Sequence, residues 1–204
     1  MKLYSSMGPN PKMVRIFMAE KGIELEKVEV DIRGGENRKE PYLSTVNPTG
    51  GSPALQLDNG AFISEITAIC EYLDETGSGP SLIGATPEER AETRMWTRRV
   101  DLGICEPMTN GFRFSQGLEM FKDRFLCMPQ AADDLKATAA RNLAWLDKQM
   151  DGKTWICGER FTMADIMLYA FVGFFAKLGQ APDESLKNVN AWMARMAARP
   201  SARA

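Results

Sequence analysis

The sequence predicts two domains of different class: a mixed α/β domain over residues 1–77 and an all-α domain over residues 87–204. Three observations predict this. A βαβ pattern followed by a ββα pattern fills the first third of the chain. A Gly/Pro/Ser-rich stretch over residues 77–87 then interrupts it. Beyond that stretch every periodic segment has helical spacing. The length of 204 residues accommodates two small domains at roughly 150 residues per domain or fewer.

Lys2-Leu3-Tyr4 reads as the first strand, and Ser6 to Asn10 as a Ser/Gly/Pro loop. A helix follows in which Val14, Phe17 and Met18 share a face. Asn10 is the expected N-cap, Pro11 the first helical residue and Gly22 the C-terminal stop. Residues 25–32 alternate with period two and predict a second strand. The Asn47-Pro48-Thr49-Gly50-Gly51 cluster predicts a turn, residues 54–57 a third strand, and Asp58-Asn59-Gly60 a hairpin turn into Ala61-Phe62-Ile63. Ser64 is expected to cap a helix running to about Leu73. Thr86 caps a long helix with Pro87 in its first turn, continuing to Ile104. Residues 111–128 are irregular and rich in Phe and Met. Long helices are expected over residues 131–150, from Thr162 onward, and over residues 188–198. Thr162 and Asp165 have capping-box spacing, a folding role.

Composition excludes several chemistries. Twenty-five basic against 27 acidic residues give a net charge of −2, which argues against a nucleic-acid partner. Histidine is absent, so no His triad, His general base or His metal ligand exists. Cys70, Cys105, Cys127 and Cys157 form no CxxC pair, so neither a metal site nor a dithiol redox motif is expected. Isolated thiols point to a reducing, cytoplasmic compartment. No secretory signal and no membrane span are expected.

Four motifs together carry a family resemblance. Residues 47–55 (NPTGGSPAL) resemble an NPxGxVPxL segment whose second proline is cis, and residues 64–73 (SEITAICEYL) resemble an ESxAIxxYL helix. Residues 158–165 (GERFTMAD) resemble a G-x-x-[FL]-[ST]-x-A-D capping segment. The Trp192-Met193-Ala194-Arg195-Met196 run with Arg199-Pro200-Ser201 resembles a C-terminal helix ending. In this order and spacing they resemble the cytosolic glutathione transferases over nearly the whole chain. The resemblance implies a thioredoxin-like N-terminal domain, an all-helical C-terminal domain, glutathione as co-substrate and a homodimer; Arg94, Arg98 and Arg99 are candidate interface residues.

The resemblance also implies a site. A zwitterionic tripeptide needs a partner for its ammonium, and Glu65 can supply one as a charge-assisted pair. The start of the following helix offers N–H groups to the γ-glutamyl carboxylate. Family members carry Ser or Thr after that Glu. Here Ile66 replaces it, a loss of roughly 1 kcal/mol unless Thr67 compensates. Ser52, ahead of Pro53, would pair through its main chain with the cysteinyl residue. Lys39, or its neighbour Arg38, matches the position facing the glycyl carboxylate.

The thiol end is open at the sequence level. Asn10 falls where cysteine-type members have Cys, Pro11 where serine-type members have Ser, and Tyr4 where tyrosine-type members have Tyr. The candidates rank Asn10, then Ser6, then Tyr4, with the first helix N-terminus contributing its positive end. Phe112-Arg113-Phe114-Ser115 matches a stretch that often reads FRH in the bacterial subgroup, so Phe114 replaces a His. Met7, Phe112, Phe114 and Ser115, with Met120, Phe121 and Phe125, are expected on the side of a small hydrophobic electrophile. The expected activity is transfer of the glutathione thiolate to that electrophile. The alternative is a non-catalytic binding protein on the same fold. A thiol–disulfide reductase would want a Cys at the first helix, and there is none.

Overall fold

A computed structural model describes residues 1–204. Two compact units form: Met1–Leu82 with Pro200–Ala204, and Ile83–Arg199. The expected helical segment 87–204 therefore gives up its last five residues to the first unit. There the Ser201 hydroxyl donates to the Glu20 carboxylate.

The first unit is a four-stranded mixed sheet in the order β2-β1-β3-β4. Strand β1 (Lys2–Ser5) leads through helix α1 (Pro9–Lys21) to β2 (Glu26–Glu29), which pairs parallel to β1. A short helix α2 (Tyr42–Thr45) precedes β3 (Ala54–Gln56) and β4 (Phe62–Ser64), both antiparallel to their neighbours. Helix α3 (Ile66–Thr76) follows. Strand alternation sends Leu3 and Leu55 to one face and Tyr4 and Ala54 to the other. Leu3 and Leu55 are fully buried, as are Met13, Ile16 and Phe17 of α1 and Ile69 of α3. Tyr4 packs with Val30, Tyr42, Val46, Ala54 and Phe62.

Between α1 and α3 a buried ion pair is made: Lys21 Nζ lies 3.1 Å from Asp74 Oδ1, with the side chains 1% and 5% exposed. Lys21 also donates to Pro80 O at 3.1 Å, and Asp74 accepts from the Ser81 hydroxyl and from Leu82 N–H. These hydrogen bonds and the ammonium outweigh burial and hold the Asp74 carboxyl below its usual range.

Three expected boundaries shift. Strand β2 covers only Glu26–Glu29 of residues 25–32. Asn10 is not the cap of α1. Gly8, at φ 123, turns the chain two residues earlier, Pro9 takes the first helical position, and Asn10 is the second. Ser64 does not cap α3, because pairing with Ala54 holds it in β4; Glu65 takes the cap position instead. Gly22 ends α1 in the left-handed region as expected.

The second unit is helical. Helix α4 (Pro87–Val100) starts with a capping box between Thr86 and Glu89. It then widens into a π turn (Asp101–Cys105) and continues as α5 (Glu106–Arg113). Pro107 explains the widening. It has no N–H for the Gly103 carbonyl, and its ring crowds that carbonyl. Asn142 Nδ2 donates to the same carbonyl at 2.7 Å. A Cβ on Gly103 would meet that nitrogen at 3.3 Å, so glycine permits the approach.

Helices α6 (Leu118–Phe121), α7 (Ala132–Gln149), α8 (Met163–Phe175) and α9 (Lys187–Ala197) complete the unit. Eleven of the thirteen α8 residues are buried. At its start, fully buried Asp165 returns to Thr162 N–H at 3.0 Å and accepts the Thr162 hydroxyl. It also accepts from Ile156 N–H and Trp192 Nε1. Burial pushes its carboxyl up to about 6, and the four donors oppose that shift.

Candidate functional site

In the first unit the loop after β1 meets the turn before β3. The buried Ser6 hydroxyl donates to Ser52 Oγ at 2.8 Å and lies 3.3 Å from Met7 O. The Ser52–Pro53 peptide is cis, as the resemblance implies; Glu40–Pro41 is cis as well. The turn is held from behind. Tyr42 OH donates to Gly51 O at 2.7 Å, Asn47 Nδ2 donates to the same oxygen at 3.1 Å, and Asn37 Nδ2 donates to Gly50 O. Burial pushes the Tyr42 phenol up to about 12, so it remains a donor. Gly50 has φ 65, and a Cβ there would lie 2.8 Å from Asn37 O, so only glycine fits. With these anchors, Ser52 keeps its main-chain N–H and C=O out of any hydrogen bond within the chain.

Helix α3 presents a second set of open donors. Its first bond runs from Ile69 N–H to Glu65 O at 2.9 Å, leaving the N–H groups of Ile66, Thr67 and Ala68 without acceptors in the chain. Glu65 alone among non-glycine residues has positive φ, 69°. Its side chain is exposed and makes no hydrogen bond or ion pair within the chain. A side chain held there costs of order 1–3 kcal/mol and persists only where its surroundings enforce it. Ile66 and Thr67 are half-buried.

Helix α1 starts with prolines at its first and third positions. Lys12 N–H closes onto Gly8 O at 3.2 Å, so Asn10 supplies the one main-chain donor left in this turn. The half-buried Asn10 amide has no partner in the chain. Tyr4 packs edge-on against Phe62, centroids 5.4 Å apart, in the cluster on the other face of the sheet from Leu3. Lys39 is exposed and its ammonium donates to Gly34 O at 3.2 Å. Arg38 rather than Lys39 lies against the turn: a Cβ on Gly50 would be 3.2 Å from Arg38 Cδ.

The remaining expected residues divide by unit. Met7 is exposed in the first. In the second, Phe112 packs against Phe121 and Phe175 at 6.2 and 5.9 Å. Phe114 is only 7% exposed. The Ser115 hydroxyl is engaged with Gly111 O at 2.6 Å. Arg113 stacks on Phe121 and Phe125 at 5.3 and 4.6 Å. Met120 and Phe125 are exposed.

The sequence models for the glutathione S-transferase N-terminal and C-terminal domains match residues 7–76 and 120–200. Glutathione S-transferase 2 of Saccharomyces cerevisiae is 31% identical over 201 residues, covering 95% of this chain and 84% of the relative. The chain belongs to the glutathione S-transferase family. Solved family structures agree with the fold. A glutathione S-transferase domain-containing protein of Marinobacter aquaeolei superposes with TM-score 0.91 at 36% identity, covering 99% of this chain and all of that one. Gtt2 of Saccharomyces cerevisiae superposes with TM-score 0.90 at 29% identity, covering 100% and 99%. The thioredoxin-like and all-helical domains of this family are thus both present. No helix is long and apolar enough to cross a membrane.

Sequence reasoning missed the Tyr42 and Asn37 anchors and one charged group near the site. Arg15 of α1 donates through Nη1 to Ser6 O at 3.0 Å and to Ser5 Oγ at 3.2 Å. The available signal was a cation inside the apolar run Val14-Arg15-Ile16-Phe17.

Proposed function

We propose that this chain is a glutathione transferase that delivers the glutathione thiolate to small hydrophobic electrophiles. The observation that carries the reading is the set of open main-chain groups in the first unit: Ser52 N–H and C=O, and the three N–H groups that start α3. They suit a tripeptide backbone and a carboxylate, and Glu65 beside them suits an ammonium. In this reading Ser52, ahead of Pro53, pairs with the cysteinyl residue. The N–H groups of Ile66 and Thr67 take the γ-glutamyl carboxylate, and Arg38 or Lys39 takes the glycyl carboxylate.

For the sulfur, Asn10 ranks first, because its amide and N–H stand free at the positive end of α1. Ser6 ranks second, since its hydroxyl is already given to Ser52. Tyr4 ranks last, packed against Phe62. A donor that favours thiolate lowers a pKa near 8.5 toward neutrality and raises the fraction ready to attack. The electrophile is apolar in this reading, and Met7, Phe112, Phe114 and Ser115 are assigned to its side. The four free thiols of Cys70, Cys105, Cys127 and Cys157 suit a reducing cytoplasm. We further infer a homodimer. A hollow of about 530 Å³ in the second unit, lined by Trp96, Arg99, Leu102 and Trp145, leaves Leu102 and Trp145 exposed.

The test is calorimetric titration with glutathione, followed by turnover of an aryl halide. Binding with turnover above the solution rate supports the reading; absence of binding refutes it. Binding without turnover selects a second reading, a glutathione-binding protein. One observation favours that reading: the only free side-chain donor at the start of α1 is a neutral amide, a weak stabiliser of thiolate. Sedimentation at micromolar concentration tests the dimer, and a monomer refutes it.

A further inference from the structure

Arg15 is unusual among the arginines of the first unit. It sits on α1 with a half-buried side chain, and burial lowers its pKa while Glu29 across from it opposes that change. Yet it makes no ion pair. Nη1 is spent on two neutral oxygens of one peptide segment, Ser6 O at 3.0 Å and Ser5 Oγ at 3.2 Å. Hydrogen bonds from a charged donor are roughly twice as strong as neutral ones, so this is a firm clamp. Beyond the clamp, the Ser6 hydroxyl reaches Ser52 Oγ at 2.8 Å. Three segments are thereby tied in series: the body of α1, the loop that feeds its N-terminus, and the turn before cis-Pro53. The carbonyl that Arg15 holds belongs to Ser6 itself, so the guanidinium fixes both position and tilt of the peptide carrying that hydroxyl. Arg15 also borders a cavity of about 440 Å³ shared with Met18, Glu24 and Lys27, which leaves room for a shorter or uncharged side chain.

We propose that Arg15 is a positioning residue for the thiol end of the site, clamping the Ser5 hydroxyl and the Ser6–Met7 peptide so that the start of α1 and the Ser52–Pro53 turn keep one fixed separation. The inference rests on the functional reading above, which assigns those two segments to the cysteinyl residue of glutathione. Arg15 itself touches no reacting atom. Its loss lets the loop move, and the donors at the start of α1 meet the sulfur less often.

The experiment compares the parent protein with Arg15→Met and Arg15→Lys. Glutathione affinity is read by calorimetry and the bound thiol is titrated by its ultraviolet thiolate absorbance, neither of which requires turnover. In Arg15→Met the bound thiol should titrate about one pH unit higher, tenfold less thiolate at a given pH. Turnover should fall about tenfold with it. Affinity should change less than about threefold, because the α3 donors and Glu65 are untouched. Arg15→Lys should recover part of the shift, since one ammonium reaches one of the two oxygens. If Arg15→Met fails to fold, Ser5→Ala removes one acceptor of the clamp and should shift the thiol in the same direction by less. A melting temperature that falls while the thiol titration stays at the parent value makes Arg15 an ordinary structural arginine and overturns the proposal. A Ser5→Ala variant with no shift overturns it equally. A parent protein that does not bind glutathione removes the functional reading first, and the proposal with it.

Discussion

Glu65 is held at φ 69 and ψ 122, a backbone region that side chains avoid, and its carboxylate makes no hydrogen bond or ion pair within the chain. Replacing it by glycine separates what the position costs from what it does. The conformation costs about 1–3 kcal/mol for a residue with a Cβ. Glycine removes that cost and adds about 0.4–1 kcal/mol of unfolded-chain entropy. The net expectation is a gain of about 0.5–2 kcal/mol, read as about 2–4 °C in melting temperature per kcal/mol at this chain length. Glu65→Ala is the control, since it loses the same carboxylate and keeps the strain. Urea unfolding should therefore place Glu65→Gly above Glu65→Ala by the same margin, about 0.5–2 kcal/mol. Calorimetry should show both variants weakened toward glutathione by roughly 2 kcal/mol, about thirtyfold, as expected for an ammonium that loses its charged partner. Equal stability of the two variants refutes the strain. Unchanged affinity in Glu65→Ala refutes the placement of the ammonium, and with it the glutathione site.

Asn10→Ala should lower turnover about tenfold with little change in glutathione affinity, while Tyr4→Phe should do almost nothing; steady-state kinetics on both variants checks the ranking, and the opposite pattern reverses it. Lys21→Met should destabilise by about 3–5 kcal/mol in denaturant unfolding, because it strands Asp74 without its partner in a buried setting. The Asp74 carboxyl is depressed in the folded state, so its contribution is present above the unfolded value of 3.8 and is lost as pH falls through the folded value. Stability followed from neutral pH downward should fall less steeply in Asp74→Asn than in the parent. Asp165→Asn should cost about 2–4 kcal/mol, since one amide oxygen cannot serve four donors. With a folded value raised to about 6, Asp165 favours the fold below pH 4 and loses that contribution as pH rises through about 6. The variant should lack this component of the pH profile.

The order of strands and helices was legible because hydrophobic period and punctuation agree. The cap at Thr86 and the Thr162–Asp165 box follow from residue type and spacing alone. The misread starts of α1 and α3 share one cause. Residue type favours Asn10 and Ser64 as caps, but a φ of 123 at Gly8 and the pairing of Ser64 with Ala54 decide otherwise. Neither is visible in local composition. At the candidate site, Ser52, Pro53 and Glu65 could be named because their motifs are contiguous. The Arg15 clamp and the Tyr42 and Asn37 anchors could not, because each joins residues nine or more positions apart. The positive φ of Glu65 also left no trace, as nothing about a glutamate announces it.

The π turn at Asp101–Cys105 amounts to one residue added to a helix that otherwise advances about 100° per residue. The side chains of α5 are therefore out of phase with those of α4, and the aromatic row around Phe112 points where it does only because of that extra step. Removing a single residue from the turn would swing every side chain beyond it by about 100° and shorten the rod by about 1.5 Å. Gly103, Pro107 and Asn142 thus act together at this bend: the proline breaks the ladder, the glycine opens the gap and the amide fills it.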